Sequence, residues 1–397
     1  MKKKTVVQIS GYFLSGMSYQ ENIYCSELSK RSALLNLFIS SSVKYPKDGS
    51  YSHLREVYTG TRNLDSGVYY DDGVVNFRLK PLFEKNGKVY LRKLLRTLSL
   101  LNPDVVLVHG STSIVSIQVS FYKIFFRNKF KLLVDDHTLI TLQEKSVLSR
   151  IYRFVFKMIF SKLVDKAADL YLPLSKETES IMVNNYGLDK SKMKILYLGA
   201  DDNLFKPEPS KRISFREKYR IKRNEVVFLY TGKIIESKKI DEMIGSFKDV
   251  TNLNYRIIIV GPAEPKYKSY LEELILNLEM EDQIEFVDNM DTKSLVEAFN
   301  GADIGIWPFA PTISTVEAQL CGLPCIVQSS EYNRERIVND TVVSGMLVNN
   351  VSELKNVIVD VLSGNQDMAT LRENSIKNSQ RYKNSVIVES LYNYMVN

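Results

Sequence analysis

Two lysines, Lys233 and Lys238, bracket the stretch TGKIIESKK that follows an apolar run ending at Gly232. Paired ammonium groups close to a helix start are suited to a diphosphate. A solvated basic loop is the competing reading. A second apolar run ends in Gly261-Pro262-Ala263-Glu264. The missing side chain of Gly261 lets a base or sugar ring come close, while Glu264 reads equally well as a solvent-facing acid. Further on, ISTVEAQLCGLPCIV carries one carboxylate, Glu317, beside a helix start. Ser314 and Glu317 have the S-x-x-E spacing of a capping box. Their other job follows from position. The backbone N–H groups of Ser314, Thr315 and Val316 can meet phosphates at a helix start. A carboxylate there repels a phosphate but can accept two hydroxyl hydrogen bonds from a ribose. Gly322 and Pro324 set the turn into the next strand.

The chain has three histidines, His53, His109 and His137. His109 follows the run DVVLV, and His137 closes DDH after KLLV. A histidine at the carboxyl end of a strand can hydrogen-bond a ligand hydroxyl; a satisfied loop histidine is the alternative. Gly16, within GYFLSGMSYQEN after the first strand, can let a ligand approach the backbone. The spacings of His, Asp and Glu match no common metal site. Cys25, Cys321 and Cys325 are too few and too odd for a disulfide scaffold. Cys321 and Cys325 have no further sulfur or histidine near them in sequence, which points away from zinc.

These residues need elements to hold them. Apolar runs over 5–9, 34–39, 104–108 and 131–134 read as buried parallel strands, with a helix over 22–31 after the first. The second half repeats the pattern: strands at 226–232, 255–261, 283–288, 303–308, 325–328 and 346–348. Helices are expected over 239–250, 267–280, 292–302, 314–321 and 331–338, and a polar last helix over 372–395. Residues 41–75 show little period and read as loops and short helices. The expected fold class is α/β, with two Rossmann-like domains facing across a central cleft. The expected limits are 1–195 for an acceptor-binding domain and 196–375 for a donor-binding domain. A C-terminal helix, 376–397, is expected to pack back on the first domain. The linker falls in LGADDNLFKPEPSKR, residues 198–212.

With 397 residues and 44% hydrophobic content, the chain is long enough for two cores. Its opening, MKKKTVVQIS, has too short an apolar run for a signal peptide. No run reaches membrane-spanning length. The expected location is cytoplasmic, with peripheral attachment to the inner face of the cell membrane as an option. The net charge of +7 is lopsided: residues 1–190 hold 28 Lys/Arg against 17 Asp/Glu, and the remainder 25 against 29. Segment 78–96 alone has seven bases and one acid. The first half therefore seeks an anionic partner. The helix expected over 148–164 is apolar round most of its circumference, with Arg150, Arg153 and Lys157 on one strip. It reads either as a core helix whose strip reaches solvent or as a helix leaning on an anionic membrane. Nucleic acid is disfavoured, because the aromatics in the basic segments show no repeated exposed platform.

Together GMSYQEN, NPDVVLVHG, DDH, LPLSKETESIMVNNYG, LYLGADDNLFKP, TGKIIESKKIDEMIGSF, GADIGIWP and VEAQLCGLPCIV resemble, in order and spacing, the retaining glycosyltransferases of family 4 with the GT-B fold. The resemblance implies transfer of a sugar from a nucleoside-diphosphate sugar, without metal or other cofactor. It gives Gly16 to the donor phosphates, His137 to the donor sugar, Lys233 and Lys238 to the diphosphate, and Glu317 to the ribose. Three positions depart from it. Phe309 stands where the family has a sugar-facing glutamate, Lys239 where it has glycine, and Lys233 where it has arginine. Lysine keeps the charge but loses the bidentate fork. No convincing general base appears in the sequence. The acceptor is expected to be a saccharide or a polyprenyl-diphosphate-linked sugar, as in bacterial surface polysaccharide or glycolipid synthesis. A nucleotide-sugar-binding protein with weak catalysis, and an epimerase or hydrolase of the same fold, are the alternatives. Oligomeric state is not legible.

Overall fold

A computed structural model describes residues 3–17, 19–47, 61–139, 146–248, 250, 254–310, 312–339 and 341–397. His53 lies outside them, as does part of the 41–75 segment. The chain forms two compact units: Met1–Tyr197 together with Ile387–Asn397, and Leu198–Val386.

In the first unit the strands are β1 (Lys4–Ile9), β2 (Leu34–Ser41), β3 (Gly67–Asp71), β4 (Val74–Leu79), β5 (Pro81–Lys85), β6 (Lys88–Leu91), β7 (Val105–His109), β8 (Lys131–Asp136) and β9 (Leu170–Pro173). Among the described residues the main sheet has the order β3-β4-β2-β1-β7-β8-β9. All its pairs are parallel except β3 with β4. Strand order reverses between β1 and β7, so the loops after these two strands diverge and open a crevice. One core cluster packs Val7, Ile9, Val106, Val108, Leu132 and Val134 against the helices of one face. On the other face, Val6, Leu107 and Leu133 pack with Ile387, Val388, Leu391 and Met395 of the last helix.

The β3–β4 hairpin begins within 41–75, where loops and short helices were expected, and a second hairpin, β5–β6, follows it. β3 and β4 turn through Asp72-Gly73, and β5 and β6 through Asn86-Gly87, all four residues at positive φ. Asp-Gly and Asn-Gly adopt such turns at little cost, and the turns match the right-handed twist of paired strands.

The second unit holds β10 (Val226–Thr231), β11 (Tyr255–Val260), β12 (Ile284–Val287), β13 (Ile304–Trp307), β14 (Cys325–Gln328) and β15 (Gly345–Val348). They form a parallel sheet in the order β12-β11-β10-β13-β14-β15. This is the doubly wound 3-2-1-4-5-6 order, with its switch point between β10 and β13.

The expected single last helix is two, Met368–Ser379 and Asn384–Val396, separated by a short turn. Lys383 is extended there, and the chain bridges Ala200 through Ala200 N–H to Tyr382 O and Asn384 N–H to Ala200 O. The segment expected over 148–164 is also interrupted. Helix Val147–Val155 passes through a π-turn, Phe156–Phe160, into helix Ser161–Ala167. Its core reading holds for one face only: Phe156 and Val164 are core residues with Tyr152 and Phe160 packed beside them, whereas Leu148, Ile151, Phe154, Met158 and Ile159 are all more than half exposed.

Candidate sites at the two switch points

In the first unit a cavity of about 520 Å³ opens at the β1/β7 switch point. Ser10 and Gly11 line it from the β1 loop, His109 and Gly110 from the end of β7, and Asp135, Asp136 and His137 from the end of β8. Parallel strands place these three chain segments side by side, which is why residues far apart in sequence meet.

Asp135 is the hub. Its Oδ2 lies 2.7 Å from His109 Nδ1 and 3.7 Å from His137 Nε2, and its Oδ1 accepts from Gly110 N–H at 3.3 Å. Burial works against charge on Asp135, yet the two imidazoles and the Gly110 N–H hold its carboxyl below the usual range. Burial likewise opposes charge on His109, and the Asp135 carboxylate outweighs it, raising the imidazole. His109 is enclosed, with Phe38 and Tyr24 stacked at 6.0 and 6.4 Å. Its Nδ1 is taken up by Asp135, while its Nε2 is buried without a hydrogen-bond partner among the described residues. His137 keeps about a third of its side chain exposed and lines the cavity. Asp136 fixes the two loops: it accepts from Ser111 N–H at 3.1 Å, from the Ser111 hydroxyl, and from Thr138 N–H at 2.8 Å. Sequence reasoning chose His137 and passed over both aspartates. The paired acids in DDH at a strand end were the signal.

Gly16 sits elsewhere. At φ +79°, it donates its N–H to both Asp72 oxygens, at 3.0 and 3.2 Å, and it does not line the cavity. A phosphate on Gly16 would have to displace the Asp72 carboxylate, so the expectation for this residue does not match the geometry.

In the second unit the loops after β10 and β13 flank the switch point and are tied together by Trp307, whose indole N–H donates to Thr231 O at 2.8 Å. Lys233 and Lys238 follow β10. Burial, and then the neighbouring charge of Lys233, lower the Lys238 ammonium from its usual range. The two amines are therefore close enough to repel, which a diphosphate would relieve. Lys239 has φ 52° and ψ 45°. That left-handed geometry suits the glycine of the resembling family and costs a lysine about 1–2 kcal/mol. Its Nζ pairs with Glu242 at 2.7 Å and lies 5.7 Å from the Phe309 ring centroid. Two departures from the family thus touch each other.

Gly232 and Gly261 have a packing reason. A Cβ on Gly261 would lie 2.0 Å from Gly232 O, and both glycines have φ near +142°. The close approach at Gly261 is made by backbone, which accounts for a glycine there without any ligand.

Ser314, Thr315, Val316 and Glu317 open the helix Ser314–Leu320, whose N-terminal flank Ile313 makes no side-chain cap. Ser314 N–H goes to Thr312 Oγ1 and Val316 N–H to Ile313 O. Thr315 N–H has no partner among the described residues, so fewer donors remain for phosphate than the sequence implied. The capping-box reading of Glu317 is not realised. Its carboxyl makes no hydrogen bond to a described residue, and burial alone pushes it up to about 7. Sequence reasoning missed Arg336, which is buried and holds this loop. It donates to Thr312 O at 3.2 Å and to Thr315 Oγ1 at 2.9 Å, and it stacks on Tyr332 at 3.9 Å. Among the described residues no group of three or more His, Cys, Asp or Glu comes together as a metal site would need.

Two Rossmann-like units, each with its chemistry-bearing side chains at a switch point, define a GT-B fold. Residues 211–381 match the family described as Glycosyl transferases group 1, and the chain carries a domain of that family. It is 24% identical over 277 residues to an uncharacterized glycosyltransferase, MJ1069, of Methanocaldococcus jannaschii, covering 67% of this chain and 68% of that one. Matches to two further curated relatives span 42% and 55% of their length. Among solved structures, Anabaena Alr3699/HepE in complex with UDP superposes with a TM-score of 0.72 at 18% identity, covering 99% of each chain. WaaG, a glycosyltransferase involved in lipopolysaccharide biosynthesis, gives 0.63 at 14% identity over 98% of this chain and 100% of that one.

Proposed function

We propose that the chain is a retaining glycosyltransferase that moves a sugar from a nucleoside-diphosphate sugar to a saccharide or lipid-linked acceptor. The observation that carries this is Glu317. A half-buried carboxyl that makes no hydrogen bond to a described residue is costly to ionise, and it sits where ribose hydroxyls would satisfy it. The Lys233–Lys238 pair beside the same switch point suits the diphosphate. UDP in the similar HepE structure supports the ligand class.

Breaking the sugar–diphosphate bond puts negative charge on the leaving oxygen. The two ammonium groups stabilise that charge without a metal. An acceptor hydroxyl attacks the anomeric carbon on the face that the diphosphate leaves. Its oxygen–carbon bond forms as the carbon–diphosphate bond breaks, and its proton passes to the departing diphosphate. His137, braced by Asp135, holds the donor sugar. Phe309 supplies no carboxylate, so no covalent glycosyl–enzyme step is invoked.

The acceptor meets the first unit. The exposed apolar residues of Val147–Phe160, with Arg150 and Lys157 among them, fit an anionic membrane surface. That surface, together with the likeness to WaaG, supports a place in surface polysaccharide or glycolipid synthesis at the inner face of the cell membrane. Calorimetry against UDP, GDP, TDP and ADP tests the donor reading. One of them should bind, and Glu317→Gln should weaken it at least tenfold. Equal binding by the variant would remove Glu317 from the site. Failure to sediment with anionic vesicles at low salt would remove the membrane.

A further inference from the structure

A second cavity in the first unit, of about 370 Å³, is unlike the switch-point crevice in its lining. Ile114, Leu148 and Tyr152 give it apolar walls, while Lys85, Lys88 and Arg153 bring three cations. No carboxylate lines it among the described residues. Lys88 Nζ lies 3.1 Å from Thr112 O and 4.6 Å from the centre of the Tyr152 ring, and the Tyr152 hydroxyl donates to Thr112 O at 2.7 Å. That network fixes one cation against an aromatic face at the floor of the cavity.

Two connections give the cavity a direction. Lys88, Thr112 and Thr138 line both this cavity and the crevice that holds His137, so the two share a wall. At the other end, Leu148 belongs to the solvent-exposed apolar face and is 59% exposed. The path therefore runs from exposed apolar side chains, past clustered cations, to the candidate catalytic histidine. That sequence of environments matches one kind of molecule: an apolar chain, then phosphate, then sugar.

We propose that this cavity is the acceptor subsite, holding the phosphate or diphosphate of a lipid-linked sugar on Lys85, Lys88 and Arg153. Its first apolar carbons lie on Leu148, Tyr152 and Ile114, and its sugar projects past Thr112 and Thr138 toward His137. The assignment rests on the reading of the first unit as the acceptor side. It narrows that acceptor to a phosphorylated amphiphile. Cations recognise the phosphate, and burial of the first isoprenoid-like carbons adds affinity that a free phosphate lacks.

The test uses the full chain and three probes: farnesyl diphosphate, inorganic diphosphate and farnesol. Calorimetry should show farnesyl diphosphate binding at least tenfold more tightly than either of the others. Lys85→Gln with Arg153→Gln, and separately Leu148→Asn, should each cut that affinity at least tenfold. These side chains are not core residues, and an unchanged thermal midpoint reports that the variants fold. Lys238→Gln, in the other unit, should leave farnesyl diphosphate binding intact. Equal affinity for inorganic diphosphate would overturn the amphiphile. Unchanged binding by the pocket variants, or loss in Lys238→Gln, would overturn the location. Nucleotide binding, measured in the same preparations, reports on the donor reading separately, so either reading can fail alone.

Discussion

Replacing Glu317 by glutamine should make the protein more stable above neutral pH while harming its proposed activity. The carboxyl sits at about 7 in the folded chain against an ordinary 4.5, through burial. At 1.36 kcal/mol per pKa unit, ionising it in the folded state costs about 3 kcal/mol. The sign follows from which state holds the proton. Between these values the folded state keeps a proton that the unfolded state has lost, so the wild type loses stability as pH rises. The penalty is close to zero at pH 4, about 2 kcal/mol at pH 6, and about 3 kcal/mol by pH 8. Other groups titrate alike in both proteins, and the fixed offset of the amide cancels when the difference is followed with pH. Urea unfolding of wild type and Glu317→Gln at pH 4, 6 and 8 reads it directly. The variant should gain on the wild type by about 3 kcal/mol across that range. A difference that stays flat, or that runs the other way, would show that Glu317 has a partner in the folded chain. Glu317 would then have no unmet need for a ligand.

Donor affinity should follow a bell in pH. It rises through about 7 as Glu317 ionises. It falls on the alkaline side as Lys238, lowered by burial and Lys233, loses its proton earlier than an ordinary lysine. Calorimetry at a series of pH values would show both limbs, and Lys238→Gln should cost about 10- to 100-fold and leave the acid limb. Gly261→Ala drives a methyl to 2.0 Å from Gly232 O. It should destabilise by about 2–4 kcal/mol in denaturant titration. Asp135→Asn removes the charge between His109 and His137. It should cost about 1–3 kcal/mol of stability and lower kcat more than it raises the donor KM, because His137 loses its brace.

Most of the fold was legible because the central strands of its two main sheets are parallel and buried on both faces. Runs such as VVFLYT and YRIIIV can be little else. The hairpins were missed because their strands alternate weakly, with Tyr70 and Leu82 exposed. Their Asp-Gly and Asn-Gly turns were nevertheless in plain view. The break before Asn384 was not legible, since it depends on pairing with Ala200, which is distant in sequence. At the sites, residue types at strand ends pointed to His137, Lys233, Lys238 and Glu317. What those side chains touch was beyond reach. Gly261 meets a carbonyl, Gly16 meets Asp72, and Arg336 reaches its loop across 21 residues of chain to Thr315. Each of these is a tertiary contact that no local pattern encodes.

Sugar transfer from a nucleoside-diphosphate donor is read out by turnover. Purified protein would be given UDP-, GDP-, TDP- and ADP-sugars in turn, with and without a membrane lipid extract, and the released nucleoside diphosphate measured. One donor should be cleaved, faster with the extract and not at all by Glu317→Gln. Release that ignores the extract would make the chain a hydrolase. Tight binding of one donor without release would make it a nucleotide-sugar-binding protein, and either result would rule out sugar transfer.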